Sequence, residues 1–157
     1  MRRKELEVTD IEEIERIIKK CRVCHVAMVD NGLPYIVPLN FGYLLKDGLL
    51  ELFFHSAGEG RKTDILKQNS SVCFEMTCEG GIEHCGGNPC NSGYSYESVI
   101  GFGQAEFIED YEAKNSALSI LAKHQLGYDY SFSKEQAGAV CAFKIISSDF
   151  TGKKSSR

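Results

Sequence analysis

Residues 55–62 carry side chains and turns that could bind an anionic small molecule. The segment follows a strand-like apolar run and precedes a helix-like run, and it reads His, Ser, Ala, Gly, Glu, Gly, Arg and Lys. Backbone N–H groups at the start of a helix lack partners and attract negative charge. Arg61 adds a planar fork for phosphate oxygens, and Lys62 adds a mobile point charge. We therefore predict that Arg61 and Lys62 bind a phosphate group.

His55 lies at the end of the strand that leads into this turn. Imidazole titrates near neutral pH, which suits a proton donor to a ligand anchored by the turn. The alternative is a strand-end histidine that only hydrogen-bonds to backbone, and the sequence leaves both roles open. For Arg61 and Lys62 the alternative is a solvated first helical turn, although two cations there oppose the helix dipole unless an anion is bound.

Composition and charge narrow the classes of function. The chain has 157 residues and a formal net charge of −4, so it lacks the basic surface that nucleic acids require. No apolar run approaches the roughly 20 residues that span a bilayer, and the charged N-terminus has no apolar signal core. We expect one cytoplasmic domain over residues 1–157, with flexible tails at 1–8 and 152–157 and no nucleic-acid or membrane partner.

Seven cysteines are many for such a chain. Their odd number and the lack of an export signal favour reduced thiols over a disulfide scaffold. Cys21 and Cys24 have the spacing of a metal half-site, and His84-Cys85 with Cys90 could supply the other half. A helix end and a strand need not bring the first pair together, so we predict no metal.

The other cysteines have simpler interpretations. Cys73 and Cys141 lie in apolar runs and are expected to be small buried hydrophobic residues. Cys85 or Cys90 would be a redox-sensitive thiol if it is exposed and its pKa is depressed.

Hydrophobic periodicity predicts a mainly β protein with flanking helices. Asn31-Gly32 and Lys46-Asp47-Gly48 mark tight turns, and strands joined by tight turns are antiparallel. Many such strands with few helices favour a small closed β-barrel. The predicted helices are 9–20, 62–68 and 111–125; the predicted strands are 23–30, 34–43, 49–55, 71–78, 95–108 and 139–147; a loop covers 79–94, an irregular stretch 127–136 and a polar tail 150–157.

The first predicted helix has clear start and packing signals. Asp10 or Thr9 is expected to cap it, with an acidic residue three positions later completing a capping box. Apolar residues recur at helical spacing and predict a buried stripe, which consists of Ile11, Ile14, Ile17 and Ile18.

Four motifs, in order, resemble those of the nitroimidazole-resistance flavoproteins in the pyridoxamine-phosphate-oxidase-like superfamily. The resemblance covers nearly the whole chain. Each motif alone is weak, and the order and spacing of the set make it specific. The motifs are Pro38-Leu39-Asn40-Phe41-Gly42-Tyr43; Phe54-His55-Ser56-Ala57 with Gly60-Arg61-Lys62; Val72-Cys73-Phe74-Glu75; and Tyr96-Glu97-Ser98-Val99-Ile100-Gly101-Phe102-Gly103.

The resemblance implies an FMN-binding split β-barrel with an antiparallel, Greek-key-like sheet, and a homodimer with the flavin at its interface. It also implies an FMN-dependent oxidoreductase that reduces nitroimidazole-type or other small planar acceptors with electrons from NADH or NADPH. FMN is expected, and FAD is the alternative. Gly101-Phe102-Gly103 lacks the third glycine of a dinucleotide fingerprint, so the nicotinamide is expected to bind transiently. The chain has no tryptophan and lacks the C-terminal Arg/His motif of true pyridoxamine-phosphate oxidases, which argues against vitamin B6 oxidation.

The resemblance also assigns site residues position by position. Arg61 and Lys62 match the residues that hold the FMN phosphate, with Ser56 nearby. His55 matches the family histidine beside the cofactor and is the candidate catalytic residue. The remaining flavin-lining positions are the backbone of Pro38, Leu39, Asn40 and Phe41, together with Glu75, Ser98 and Val99, where Ser98 comes from either subunit.

Two other functions are compatible with the same sequence. The first is a flavin-binding protein without turnover, which acts as a redox sensor, store or electron carrier and for which the cysteine-rich loop is suited. The second is a haem-binding protein on the same barrel, with His55 or His84 as the axial ligand.

Overall fold

The computed structural model describes residues 3–83 and 86–155, and these carry eight β-strands and four α-helices. No helix in these ranges is both long and apolar enough to cross a membrane. The strands are β1 (Glu7–Val8), β2 (Val23–Asp30), β3 (Leu33–Asn40), β4 (Gly42–Lys46), β5 (Leu49–Ser56), β6 (Ser71–Glu83), β7 (Gly93–Ile108) and β8 (Cys141–Ser155). The helices are α1 (Ile11–Lys20), α2 (Arg61–Gln68), α3 (Tyr111–Leu126) and α4 (Lys134–Gly138).

The strands form one antiparallel sheet in the order β3-β2-β6-β7-β8-β5-β4, and β1 pairs with β8 outside this path. Although β3 and β5 are distant in this order, Tyr35 and Val37 of β3 share a cleft with Ser56 of β5. The sheet therefore curls until its two ends approach, and no ladder joins β3 to β4 or β5 in the described ranges. β2 pairs with β6 and β5 pairs with β8 although other strands lie between them in the sequence, which is a Greek-key-like arrangement. This confirms the predicted mainly β barrel with flanking helices.

The barrel interior is packed with side chains from alternate strand positions. Phe54 and Phe143 stack at its centre with ring centroids 5.0 Å apart. Phe41 and Phe74 are fully buried in the same core. This aromatic filling fixes the position of β5, whose end leads to the predicted phosphate-binding turn.

Helix α1 closes part of this core and is capped by Asp10, one of the two predicted caps. Asp10 accepts a hydrogen bond from the backbone N–H of Glu13 at 3.0 Å. Ile11 is 41% exposed because it lies at the helix start, so its predicted burial is wrong. The three other stripe residues are 2% exposed or less, namely Ile14, Ile17 and Ile18.

The chain bends at Phe41, where the sequence predicted one strand over 34–43. β3 pairs with β2, whereas β4 pairs with β5 at the other end of the sheet order. Helix α3 passes directly over Gly42, since a Cβ added there would lie 2.5 Å from the Cα of Leu121. The prediction of one continuous strand is wrong because the apolar pattern carries no sign of where a distant helix crosses.

The predicted loop over 79–94 is largely a hairpin. β6 runs to Glu83 and β7 begins at Gly93, with a register shift between Glu79 and Gly81. The hairpin's cross-strand pairing extends the ladder beyond the apolar positions that mark a strand in sequence. The predicted cysteine-rich loop also contained His84 and Cys85, which lie outside the described residues.

The predicted tails are also paired strands in the described ranges. β8 continues through Ser155, where it pairs with Tyr96 of β7. β1 pairs with Gly152 and Lys153 of the same strand. Residues 150–155 have a polar composition, which does not indicate a strand. The strand forms because of pairing with partners that are far away in sequence. The stretch predicted as irregular over 127–136 likewise contains the start of α4.

A charge cluster ties α1 to the ends of β7 and β8. Arg16 donates to Glu97 at 2.5 Å and to Glu13 at 2.6 Å. Lys20 lies 2.8 Å from Glu97, and Lys154 lies 3.1 Å from Glu13. The hydrogen bonds from Arg16, supported by the two lysines, lower the pKa of each carboxyl to about 2. The cluster is therefore fully charged at neutral pH.

Candidate functional site

A small cleft opens where β5 leads into α2. It encloses about 210 Å³. The turn after β5 and one face of β3 form its walls, so the predicted phosphate-binding residues lie together. Ser56 Oγ donates to the carbonyl of Ala57 at 2.9 Å, which fixes this hydroxyl in the turn. The lining residues are Tyr35, Val37, Ser56, Ala57, Glu59, Gly60, Arg61, Lys62 and Thr63.

Helix α2 begins without the side-chain cap found at the start of α1, α3 and α4. Asp10, Asp110 and Ser133 accept hydrogen bonds from backbone N–H groups at those three helix starts. Gly60 stands at this position in α2, has a φ of 138° and offers no side chain. The first N–H groups of α2 are therefore open to an anion in the cleft.

Arg61 is oriented at the rim of the cleft by two neighbours. Its Nε donates to Asp30 at 2.8 Å, and its guanidinium lies over the ring of Tyr35 at 4.4 Å from the centroid. No hydrogen bond from its terminal Nη groups occurs within the described part of the chain. The outer fork of the guanidinium is thus available for phosphate oxygens.

Lys62 places a half-buried ammonium in the same cleft. Burial lowers its pKa, and no carboxylate in residues 3–83 or 86–155 forms an ion pair with it. An ammonium withdrawn from water without an anionic partner has lost part of its hydration, and a bound anion would offset that loss. The cleft therefore has the charge, backbone donors and size of a site for one phosphate group.

A larger groove lies on the opposite face of β5, beneath α3. It encloses about 710 Å³, within the usual range for a small-molecule site, and most of its lining is apolar. Residues of α3 form one wall, and the segment around α4 that leads into β8 forms another. The lining residues are Asn40, His55, Leu118, Leu121, Ala122, Gln125, Leu126, Phe132, Gln136, Ala139 and Val140.

His55 is exposed at the mouth of this groove. Its neighbour Phe54 points into the core, as the alternation of a strand requires. The protein atoms around the imidazole withdraw enough water to lower its pKa, and the charge of Lys62 lowers the pKa further. The imidazole is therefore mainly neutral at pH 7.

The cleft and the groove meet at two consecutive residues. Ser56 lines the cleft and His55 lines the groove, and consecutive Cα atoms are about 3.8 Å apart. Their side chains point to opposite faces, so one ligand that reaches both cavities must pass around the end of β5. Because Lys62 acts on the pKa of His55, the two cavities are electrostatically coupled.

Two carboxamides close one end of the groove. Gln125 Nε2 donates to the carbonyls of Phe41 at 2.7 Å and Arg22 at 3.2 Å. Asn40 Nδ2 donates to the carbonyl of Arg22 at 3.1 Å, and its Oδ1 accepts no hydrogen bond from the described residues. The groove thus offers a ligand an imidazole and an amide oxygen within apolar walls.

The predicted ring-lining segment 38–41 does not present a single surface. Pro38 and Asn40 are exposed, Leu39 is partly buried, and Phe41 has 0% exposure. Among these four, Asn40 reaches the groove, and none lines the cleft. Contact of the whole segment with one planar ligand would therefore involve backbone atoms.

The three other predicted flavin-lining residues lie away from both cavities, namely Glu75, Ser98 and Val99. Pro38 and Glu75 both pair with His25, so they share one outer face of the sheet. His25 Nδ1 lies 3.2 Å from the carboxylate of Glu75. Ser98 faces outward because the adjacent Val99 points into the core with 0% exposure. Within one chain, these residues do not converge with His55 or Lys62.

The same outer face carries an apolar row. Ile36, Ala27, Cys73 and Phe102 are successive cross-strand partners across β3, β2, β6 and β7. Ile36 is 60% exposed and Phe102 is 59% exposed, and Ile100 beside them is 45% exposed. Neighbouring exposed apolar side chains of this kind are typical of interaction surfaces.

Cys21 and Cys24, which have the spacing of a metal half-site, do not come together in the described ranges. Cys21 Sγ lies 3.0 Å from Cys78 Sγ, whereas Cys24 is buried in the barrel core. Residues 3–83 and 86–155 contain no cluster of three or more candidate metal ligands. Cys21 therefore has Cys78 as its partner.

The other cysteines differ in exposure. Cys73 and Cys141 are half-buried, so their predicted full burial is wrong. Cys90 is exposed, and Cys85 lies outside the described residues. The redox role of Cys85 or Cys90 stays a prediction.

Sequence reasoning missed the residues that orient the site. Asp30 and Tyr35 flank the predicted Asn31-Gly32 turn, but nothing in the sequence links them to Arg61. Gln125 had a weak signal, because it follows the buried Leu121 by four positions and thus lies on the same face of α3. A polar residue on an apolar helix face marks such a position.

Comparison with known proteins agrees with this fold. The family described as pyridoxamine 5′-phosphate oxidase matches residues 10–154. A candidate 5-nitroimidazole antibiotic resistance protein from Bacteroides thetaiotaomicron VPI-5482 has a TM-score of 0.81 and 33% identity, covering 95% of this chain and 86% of that one. No curated protein matches the sequence.

Two more distant structures share the fold. An FAD and heme binding protein from Mycobacterium smegmatis has a TM-score of 0.81 and 22% identity, covering 96% of this chain and 74% of its own. A flavocytochrome from Azotobacter vinelandii has a TM-score of 0.80 and 19% identity, covering 100% and 72%. The match over 10–154 and the 33% identical relative confirm the predicted relationship, and this chain belongs to the pyridoxamine 5′-phosphate oxidase family, with its split-barrel fold.

Proposed function

We propose that this protein is an FMN-dependent oxidoreductase that reduces nitroimidazole-type or other small planar acceptors with electrons from NADH or NADPH. The observation that supports this most directly is the half-buried Lys62, without a carboxylate partner in the described ranges, beside the uncapped start of α2. The relative described as a candidate 5-nitroimidazole resistance protein makes this acceptor class the first to test.

The cleft is the proposed site of the FMN phosphate. Arg61 donates from its Nη groups and Lys62 from its ammonium, while the first N–H groups of α2 complete the cradle. Arg61 is already paired with Asp30, so Lys62 is the cleft cation whose charge a terminal phosphate such as that of FMN would offset. Asp30 and Tyr35 hold the guanidinium in the orientation that this contact needs. When bound, the flavin would supply hydride and electron transfer.

The groove is the proposed site of the acceptor. Its apolar walls exclude water and favour a planar ring over a charged molecule. His55 would hold the proton that the reduced acceptor takes up, and Asn40 would orient the acceptor through its free amide oxygen. A neutral imidazole carries one N–H donor and one acceptor nitrogen, so it can pass a proton in either direction.

The homodimer is also part of this proposal. The outer face that bears Ile36, Ile100 and Phe102 would pair with a second copy of the chain, because burying its apolar side chains stabilises the association. Pairing there would bring Glu75 and Ser98 to the interface. The described cysteines are free thiols, which supports a cytoplasmic, reducing location.

FMN binding is the first test. Arg61→Ala should weaken FMN binding by about 1.5–3 kcal/mol, because charge-assisted hydrogen bonds to phosphate are lost. The measurement is a titration of the purified protein followed by flavin fluorescence. Arg22→Ala, which removes an exposed guanidinium outside the cleft, is the control. Equal affinity in the two variants would contradict the phosphate assignment.

Turnover separates the proposed enzyme from the alternatives. His55→Ala should keep its FMN content but reduce a nitroimidazole more slowly under anaerobic conditions with NADH. Yellow protein without acceptor-dependent reoxidation would instead indicate a flavin-binding sensor or carrier. A red protein with a haem absorption band would indicate haem binding and would exclude the proposal.

A further inference from the structure

Two cysteines distant in sequence meet outside the cleft and the groove. Cys21 directly follows α1, and Cys78 lies on β6, 57 positions later. Their Sγ atoms are 3.0 Å apart. A disulfide bond measures about 2.05 Å, so a displacement of about 1 Å, within the range of small side-chain rotations, would bring the sulfurs to bonding distance.

The surrounding backbone holds the pair in place. The N–H of Cys21 donates to the carbonyl of Ile18 at 3.0 Å, and its own carbonyl accepts from His124 at 2.8 Å. Cys78 is held by the β6–β7 ladder opposite Glu97. Since both backbones are fixed by regular structure, the thiols stay close together.

The two thiols differ in access. Cys21 is 2% exposed, and burial raises its pKa. Cys78 is half-buried and lines a surface groove of about 280 Å³ together with Lys20, Gly80 and Ser95. A small oxidant can therefore reach Cys78 first. Cys21, buried beside it, is the thiol that would react with the oxidised Cys78.

We propose that Cys21 and Cys78 form a disulfide when the protein meets hydrogen peroxide. The sulfur of Cys78 attacks the O–O bond, which breaks to give a sulfenic acid and one water. The sulfur of Cys21 then attacks the sulfur of Cys78, forming the S–S bond and releasing the oxygen as a second water. In total the two thiols lose two electrons and two protons, and one peroxide takes them up.

The bond would join the end of α1 to β6 and close a loop of 57 positions. Cross-linking removes conformations from the unfolded chain, so the oxidised protein is expected to be more stable. For a chain of this size, we expect the thermal midpoint to rise by about 5–15 °C. Dithiothreitol should reverse the shift.

The test uses the full chain, fully reduced and then titrated with hydrogen peroxide with and without FMN. Peptide mapping by mass spectrometry without reductant should find a 21–78 cross-link and a loss of about 2 Da. Cys78→Ser should abolish both the cross-link and the midpoint shift. Cys73→Ser, on the same strand, should retain both and is the matched control.

Oxidation of Cys90 alone, or a cross-link from Cys21 to a different cysteine, would overturn the proposal. If Cys78→Ser does not fold, as judged by circular dichroism, the peptide map of the unmodified chain decides by itself. FMN binding in the cleft is measured separately, so failure of the disulfide leaves the proposed cofactor site standing.

Discussion

The cleft at the start of α2 and the groove under α3 adjoin at the end of β5, yet their linings differ in polarity. The cleft encloses about 210 Å³ and presents two cations with open backbone N–H groups. The groove encloses about 710 Å³ and presents mostly apolar walls. The comparison shows that one strand can separate a charged cavity from an apolar one, because consecutive residues face opposite sides of the strand.

The largest expected effect comes from disturbing the groove while leaving the cleft in place. Gly42→Ala would put a Cβ 2.5 Å from the backbone of Leu121, which a helix cannot relieve by a rotamer change. We expect a loss of about 3 kcal/mol in the free energy of unfolding, measured by urea denaturation. FMN affinity of the folded variant should fall much less than its turnover of the acceptor.

The matched control for this change is Gly58→Ala. A Cβ at Gly58 meets no atom within 4 Å. The free energy of unfolding should change by less than about 0.5 kcal/mol. If Gly42→Ala lost as little stability as Gly58→Ala, α3 would be able to move away from β4. The walls of the groove would then be less rigid than their packing indicates.

The next effect should fall on the cleft alone. Lys62→Met removes the half-buried ammonium and should weaken FMN binding by about 1.5–3 kcal/mol, measured by fluorescence titration. Lys67→Met, in the last turn of the same helix, removes an exposed charge and should change the affinity little. The acceptor KM should be nearly constant in both variants. A large rise in KM for Lys62→Met would mean that the two cavities act as one.

A third variant separates local effects from loss of the whole fold. Glu97→Gln should lower the free energy of unfolding by about 1–2 kcal/mol at pH 7, because Arg16 and Lys20 lose a charged partner. The pKa of Glu97 is lowered from 4.5 to about 2, so its contribution is present above pH 4.5 and is lost as the pH falls toward 2. The difference between wild type and variant should shrink over that window in urea titrations.

Glu106→Gln is the control for this pH test, because Glu106 is 56% exposed and 3.9 Å from Lys144. It should unfold like the wild type at each pH. If Glu97→Gln keeps its full deficit at pH 2, the charge cluster is not the origin of the acid sensitivity.

The smallest effect tests the coupling between the two cavities. Burial and then Lys62 lower the pKa of His55, so Lys62→Met should raise this pKa without restoring its ordinary value. Titration of the imidazole resonances by NMR measures the change. Lys67→Met should leave the His55 resonance unaffected. An unchanged pKa in Lys62→Met would show that burial alone sets it.

Local signals in the sequence predicted much of the fold. The Asn31-Gly32 turn forms with both residues at positive φ, and Asp10 caps α1. Such features depend on a few neighbouring residues. The bend at Phe41 and the continuation of β8 through Ser155 depend on α3, β1 and β7, which are far away in sequence.

For the site, too, the sequence predicted the residues that are close together in the chain and missed those that come from another hairpin. Ser56, Arg61 and Lys62 are close in sequence and lie together in the cleft. Asp30 and Tyr35 complete it from another hairpin, and no local pattern pairs them with Arg61. Strict strand alternation does predict that His55 and Ser56 face different cavities, whereas the contact of Cys21 with Cys78 arises only from the packing of α1 on β6.

Because Lys62 acts on His55 across the end of β5, the proposed cofactor site and the proton affinity of the imidazole would be parts of one linked equilibrium. A phosphate dianion beside Lys62 would offset the charge that lowers the proton affinity of His55. By reciprocity, a proton on His55 must strengthen anion binding by the same free energy. The proton of His55 is already lost below neutral pH, whereas that of Lys62 is lost in alkaline solution, so a bound anion should be released in two separate steps as the pH rises.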